Sequence, residues 1–193
     1  MKNILQSLKI YLIFTLLLGL IYPVAITIIA QKLFAFQANG SLLRSGDTVV
    51  GSRLLGQGFT GPQYFQPRMS ANNYDGTNSG GTNLGPSSKK LMDATADKVA
   101  KLRQENGLAP DTPIPADMAL TSASGLDPHI SLKNAMLQSG RVAAARGISQ
   151  SNMQKLIDSN TDTDFIGIWG HPGVNVLALN MALDKLNNKE QAK

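Results

Sequence analysis

Residues 10–30 read IYLIFTLLLGLIYPVAITIIA, and this stretch decides the architecture. It is 21 consecutive residues without a charge. A helix of that length covers about 30 Å, the thickness of a bilayer's hydrocarbon core. The alternative is a cleavable secretory leader, which fits the length less well, since its apolar region runs to only about 7–15 residues before a small-x-small site. Here Ala30 is followed by Gln31 and Lys32, and the sequence AFQA at 35–38 is no such site. The stretch reads as an uncleaved membrane anchor. Lys2 and Lys9 precede it, only Lys32 follows closely, and the next basic residue is Arg44. The excess of positive charge before the span places residues 1–9 in the cytoplasm. Nothing after the anchor is apolar enough to cross again, so residues 31–193 form one extracytoplasmic domain.

Within the span, Pro23 removes a backbone donor and crowds the turn before it, which predicts a kink near Leu20–Ile21. Thr15 and Gly19 are a small-xxx-small pair that lets another helix approach. Tyr22 is a phenol at mid-span, which favours a protein neighbour over lipid. Thr15, Gly19, Tyr22 and Pro23 are therefore the candidate partner-packing residues of the membrane segment.

Outward from the anchor, the chain has 15 basic and 13 acidic residues from Leu33 onward, a net of +2. The sequence pI of about 9.5 is therefore not the footprint of a nucleic-acid binder, because basic residues are interspersed with acids. The chain has no cysteine, which excludes disulfides, thiolate metal sites and cysteine nucleophiles.

Leu33–Gly40 reads as an amphiphilic stalk ending in the Asn39-Gly40 turn signal, with Phe34 and Phe36 at headgroup level. Thr48–Leu55 is β-prone. Residues 56–88 are rich in glycine, with Pro62, Pro67 and Pro86, and no helix forms there. Phe59, Tyr64, Phe65 and Tyr74 give this stretch something to bury, so it reads as an ordered loop rather than a disordered linker.

Lys89–Asn106 has helical periodicity through Leu91, Thr95, Val99 and Leu102, with Met92 and Ala96 alongside and Gly107 as the stop. Residues 109–116 form a proline-rich loop. Ser131–Arg146 is a second helix, with Ser131 as cap, Gly147 as stop and a buried stripe of Leu132, Met136, Ser139 and Ala143. Ser149 or Ser151 caps a third helix through Met153, Leu156 and Ile157, Ser151 with Gln154 fitting a capping box. Phe165–Ile168 and Val174–Leu179 read as strands, and Asn180 as the cap of a last helix through Met181, Leu183 and Leu186. The fold class is α+β: one membrane helix followed by a single mixed domain.

No phosphate-loop, dinucleotide, zinc-protease or nucleophile-elbow motif occurs. His129 and His171 each lie beside a proline, far apart, with no further ligands at metal spacing. Ser122, Ser124, Asp127 and His129 crowd into the eight residues SASGLDPH. Catalytic triads draw their members from distant segments, so this reads instead as a turn whose side chains satisfy backbone groups. Ser79-Gly80-Gly81-Thr82-Asn83 has the composition of a backbone nest for an anion, without the lysine of a phosphate loop. These five are the candidate nucleotide-binding residues. No catalytic or metal residue is expected, and the residues themselves describe an interaction module held at a membrane.

Four stretches carry a family resemblance: FQANGSLLRSGDTVVGSRLLGQGFTGPQYF at 36–65, SGGTNLGPS at 79–87, LTSASGLDPHISLKNAMLQSGRVAAARG at 120–147 and VNVLALNMALDKL at 174–186. With the N-terminal anchor they resemble the KdpC family, a component of the bacterial Kdp-type potassium-transporting ATPases. One departure is QPRMSA at 66–71, where the family usually has Gly-Arg-Pro-Ser-Ala; Arg68, Ser70 and Ala71 remain.

The resemblance implies a single-pass protein of the bacterial inner membrane in a four-subunit, high-affinity potassium uptake pump. Its implied partners are a channel-like potassium-binding subunit, a P-type ATPase subunit and a small single-helix subunit. The implied role is non-catalytic: an accessory subunit needed for assembly and activity, described as a catalytic chaperone that raises the ATP affinity of the ATPase subunit. No cofactor of its own is implied, and ATP enters only as a ligand of the complex. An outer domain cannot touch cytoplasmic ATP. Either the domain biases the pump through the membrane helices, or the topology differs and the SGGTN loop contacts nucleotide directly.

Overall fold

The computed structural model describes residues 2–162 and 170–191. The chain divides into two compact units, Met1–Val50 and Gly51–Lys193.

In the first unit a continuous helix runs Lys2–Leu33, long and apolar enough to cross a membrane, with none of its residues in the apolar window buried. It consists of α1 (Lys2–Leu16), a π-helical turn (Leu17–Ile21) and α2 (Tyr22–Leu33). A four-residue helix α3 (Ala35–Ala38) follows, and Gly40 turns the chain at φ +83°. β1 (Leu42–Ser45) and β2 (Thr48–Ser52) pair as a two-stranded sheet. β1 was not expected from the sequence; β2 is the β-prone stretch, shortened.

In the second unit the long loop 56–88 leads to α4 (Lys89–Asn106), capped by the Ser88 hydroxyl and ended by Gly107 at φ +61°. Such left-handed stops suit glycine, which has no Cβ to clash. Of the expected stripe, Leu102 is buried and Leu91, Thr95 and Val99 are half-buried, while Met92 remains exposed. A single turn α5 (Ala116–Ala119) lies at the end of the proline-rich stretch. Then come β3 (His129–Ser131), α6 (Leu132–Arg146), α7 (Gln150–Ser159), β4 (Thr161–Asp162), β5 (Gly173–Asn175) and α8 (Val176–Gln191). The order β3-β5-β4 makes a small antiparallel sheet, with Ile130 opposite Val174 and Thr161 opposite Val174. The core gathers Phe65, Ile130, Val142, Met153, Ile157, Val174, Leu179 and Leu183 between this sheet and helices α6, α7 and α8.

Two helix expectations are corrected, and an open alternative, the cap of α7, is resolved. The stripe of α6 is turned: Asn134, Ala135, Gln138, Ser139, Val142 and Ala143 are buried, whereas Leu132 and Met136 are exposed. Apolar periodicity misses it because two buried positions are amides with tertiary partners. α7 is capped by Ser149, whose hydroxyl accepts the Asn152 amide, and Ser151 is already inside the helix. The expected strand 174–179 stops at Asn175, and the helix begins at Val176, not after Asn180. Asn175 is the capping side chain, its Oδ1 accepting the Ala178 amide at 3.0 Å. An apolar run this short does not distinguish buried strand from buried helix. The expected strand at 165–168 lies outside the described residues.

Candidate functional site

The N-terminal apolar helix places its four candidates around the π turn. Tyr22 donates its backbone N–H to the Leu17 carbonyl, one residue farther back than in an α-helix. The cause is Pro23: it has no N–H for the carbonyl one turn back, and its ring crowds that turn. A widened turn relieves both, and it lies where the kink was expected. Thr27 Oγ1 donates to the Pro23 carbonyl at 2.8 Å, a side chain serving the disturbed ladder. No atom lies within 4 Å of a Cβ built on Gly19, so that position is an open notch. Tyr22 is exposed.

In the second unit the glycine-rich loop is ordered by side chains from distant helices. Asn180 is 1% exposed; its Oδ1 accepts the Phe65 amide and its Nδ2 donates to the Phe65 carbonyl, both at 2.9 Å. This clamp seats the fully buried Phe65 ring in the core. Gln138 does the same for Gln66, accepting from its amide at 2.8 Å and donating to its carbonyl at 3.0 Å. Arg141 donates to the carbonyls of Pro62 (2.7 Å) and Tyr64 (3.0 Å) and to Asn106 Oδ1 (2.9 Å). Burial lowers the Arg141 pKa from its ordinary value, and the guanidinium stays charged at neutral pH. Arg146 donates to the Gln63 carbonyl, pairs with Asp184 at 2.8 Å and lies 4.8 Å from the centre of the Tyr64 ring. The loop's buried carbonyls thus find partners although it has no ladder of its own.

The SGGTN segment packs against the SASGLDPH segment backbone to backbone. The Gly80 amide donates to the Ser124 carbonyl at 2.8 Å, and Ser79 Oγ donates to the same carbonyl at 3.1 Å. A Cβ on Gly81 would come within 2.9 Å of the Ala123 carbonyl oxygen. One on Gly125, at φ +70°, would come within 2.8 Å of the Gly80 oxygen. Gly56 closes the same junction, its amide donating to the Leu126 carbonyl at 2.8 Å. These glycines permit the contact, and the Gly80 amide expected to line an anion nest is engaged with protein. Thr82 and Asn83 are exposed, Asn83 at φ +54°.

A charged chain runs beside this junction. Arg68 pairs with Asp127 at 2.8 Å, and the other Asp127 oxygen accepts the His129 amide at 3.0 Å, the expected turn. His129 Nε2 lies 2.9 Å from Asp162, which Arg53 also contacts. Ser124 Oγ accepts the Leu126 amide. The SASGLDPH side chains therefore close the turn and tie β3 to β4. Within the departure at 66–71, the Ser70 hydroxyl accepts the Asn72 and Tyr74 amides, and Tyr74 donates to the Arg68 carbonyl at 2.9 Å. Burial raises the Tyr74 phenol pKa. Asp117, on α5, accepts from Ser131 N, Ser131 Oγ and Asn134 Nδ2 at 2.8–3.0 Å, a second cap on α6. Among the described residues no group of three or more His, Asp and Glu could hold a metal ion.

Arg141, Arg146, Asn134, Gln138 and Asn180 were not among the expected site residues. Helical periodicity gives no signal for them: the stripe it marks on α6 runs through Leu132, Met136, Ser139 and Ala143, and Asn180 reads only as a helix cap.

Comparison with known proteins covers almost the whole chain. Residues 4–185 match the family model described as "KdpC: K+-transporting ATPase, c chain". A protein of Koribacter versatilis (strain Ellin345), named "Potassium-transporting ATPase KdpC subunit", is 47% identical over 185 residues, covering 95% of this chain and 94% of its own. A protein of that name from Mycobacterium tuberculosis (strain ATCC 25618 / H37Rv) is 46% identical over 187 residues, covering 96% and 99%. Another from Myxococcus xanthus is 47% identical over 189 residues, covering 95% and 88%.

Proposed function

The chain belongs to the KdpC family of potassium-transporting ATPase components, and from that premise we propose that it is a non-catalytic accessory subunit of the pump. It sits in the bacterial inner membrane by its N-terminal helix, with residues 1–9 in the cytoplasm and the folded domain outside. Its partners are the channel-like potassium-binding subunit, the P-type ATPase subunit and the small single-helix subunit. It supports assembly, and it raises the ATP affinity of the ATPase subunit by biasing the pump's conformation through the membrane helices.

The observation that supports this reading most is what the polar side chains of the motifs do. Arg141, Arg146, Gln138 and Asn180 are spent on the backbone of residues 62–66. Arg68 and Asp127 are spent on each other and on a turn, and the His129 ring is spent on Asp162. Side chains used this way stabilise a rigid surface rather than line a reaction site. The alternative, direct nucleotide contact through Ser79–Asn83, has the Gly80 amide already given to Ser124.

The test is ATP-dependent turnover of the purified pump with and without this chain. We expect the ATP concentration for half-maximal rate to fall when the chain is present, while the full-length chain alone hydrolyses nothing. Unchanged ATP dependence, with all the other subunits present in both preparations, would remove the affinity role.

A further inference from the structure

The chain contains two Asn-Gly pairs, Asn39-Gly40 and Asn106-Gly107. Asparagine is among the chemically labile side chains. Its amide carbon is open to attack by the next residue's backbone nitrogen, and most so before glycine, which has no Cβ to bar the approach. The attack requires the asparagine to turn until that nitrogen faces Cγ. What holds each asparagine therefore sets how fast it reacts.

Asn106 is held from two helices. It is half-buried and is the last residue of α4, a helix of 18 residues. Its Nδ2 donates to the Leu102 carbonyl, and its Oδ1 accepts from Arg141 Nε on α6, both at 2.9 Å. Arg141 is itself fastened to the Pro62 and Tyr64 carbonyls. Turning Asn106 breaks that long-range tie.

Asn39 has local partners. It is exposed and follows α3, a helix of four residues. Its Nδ2 donates to the Ala35 carbonyl at 2.7 Å and to Gln31 Oε1 at 3.1 Å, and its Oδ1 faces Gln31 Nε2 at 3.5 Å. The Gly40 amide donates to the Gln37 carbonyl at 3.0 Å, in the same turn. A single helical turn is marginal on its own, and an exposed segment opens at low free energy.

We infer that Asn39 is a site of spontaneous self-modification, while Asn106 is protected by Arg141. The Gly40 nitrogen loses its proton to hydroxide and attacks Asn39 Cγ. The N–Cγ bond forms, the Cγ–Nδ2 bond breaks, and Nδ2 leaves as ammonia, protonated by solvent. Water then opens the cyclic imide at either carbonyl, leaving aspartate or isoaspartate at position 39. Neither product has a side-chain donor for the Ala35 carbonyl, and isoaspartate adds a methylene to the backbone. The tie from α2 through α3 to β1 loosens as the molecule ages, and the Gln31 amide delays it. None of this depends on the pump reading.

The test incubates the full-length chain in detergent at mildly alkaline pH and follows both asparagines by peptide mass spectrometry. A hydrogen bond from a charged group, such as Arg141 gives Asn106, slows opening by about 10-fold or more. We expect Asn39 to convert faster than Asn106 by at least that factor, and similar rates for the two in chain unfolded by urea. Gln31→Leu, at an exposed position, should speed conversion of Asn39 several-fold and leave Asn106 unchanged. Equal rates in the folded chain would overturn the inference. A preference for Asn39 that persists in urea would assign it to local sequence and overturn the structural argument. An unchanged Asn39 rate in Gln31→Leu would overturn the role given to Gln31.

Discussion

Replacing Asn180 by leucine isolates the clamp that seats the glycine-rich loop. In the protein Asn180 gives both halves of its amide to the Phe65 peptide at 2.9 Å, and it is 1% exposed. Leucine keeps the branched skeleton and the number of heavy atoms but has no polar atom, so the Phe65 N–H and C=O are left buried and unpaired. Each such group costs about 1–3 kcal/mol, which gives about 4 kcal/mol for the pair. Asn180 lies inside α8, where leucine is the better helix former by about 0.5 kcal/mol, which offsets a little. The expected net loss is about 3 kcal/mol, or a Tm lower by about 10 °C for a domain of this size. Thermal unfolding of the full-length chain in detergent, followed by circular dichroism, reads the total. Hydrogen exchange of the Phe65 amide reads the local effect, and about 3 kcal/mol corresponds to faster exchange by about 100-fold. A Tm within a degree or two of wild type and an unchanged Phe65 exchange rate would refute the reasoning. The loop would then be ordered by its aromatic burial alone.

Three further outcomes follow from the same contacts. Gly125→Ala forces a Cβ to within 2.8 Å of the Gly80 oxygen at φ +70°, and should cost about 2–3 kcal/mol; Gly46→Ala, at φ +59° with nothing within 4 Å, should cost about 1 kcal/mol, and equal losses in denaturant titrations would contradict the close-contact account. Burial lowers the Lys98 pKa below its ordinary 10.5, so folding disfavours the charged form. That penalty is full at neutral pH and fades as pH rises through the lowered folded value toward 10.5, so Lys98→Met should give a small stability gain at pH 7 that shrinks in alkali; a gain independent of pH would assign it to packing. Pro23→Leu restores the missing backbone donor and should close the π turn, loosening assembly of the complex; wild-type yield of co-purified subunits would contradict a packing role for this turn.

The parts legible in the sequence are those governed by local rules. Twenty-one uncharged residues dictate a helix long and apolar enough to cross a membrane. Ser131 and Ser149 cap helices because their hydroxyls reach the first free amides, and Gly107 and Gly147 end helices because they adopt positive φ. The order of residues 56–88 was legible from Phe65, which is fully buried. What holds that loop was not legible. Arg141 meets Pro62 and Asn180 meets Phe65 across 79 and 115 residues of sequence, and no local pattern encodes such a pairing. The same clamps hid the face of α6, because a buried Gln138 looks like a surface residue until its partner is known. Val174–Leu179 misled for a different reason: an apolar run of that length is compatible with strand or helix, and the Asn175 cap decides it at its second residue. Of the nucleotide-nest residues, the composition was legible, but the Ser124 carbonyl that takes the Gly80 amide was not.

Which side of the membrane the folded domain occupies decides how it can act on the pump, and thiol labelling answers that. The chain has no cysteine, so single cysteines at exposed Ser87 and Asn152 are unique handles, used in the full-length chain within its complex. Cells are treated intact with a membrane-impermeant thiol reagent, after brief permeabilisation of an outer membrane where there is one. We predict labelling of both sites in intact cells, which requires any influence on ATP to pass through the membrane helices. Labelling only after lysis of the inner membrane would contradict this topology and place the domain beside the nucleotide.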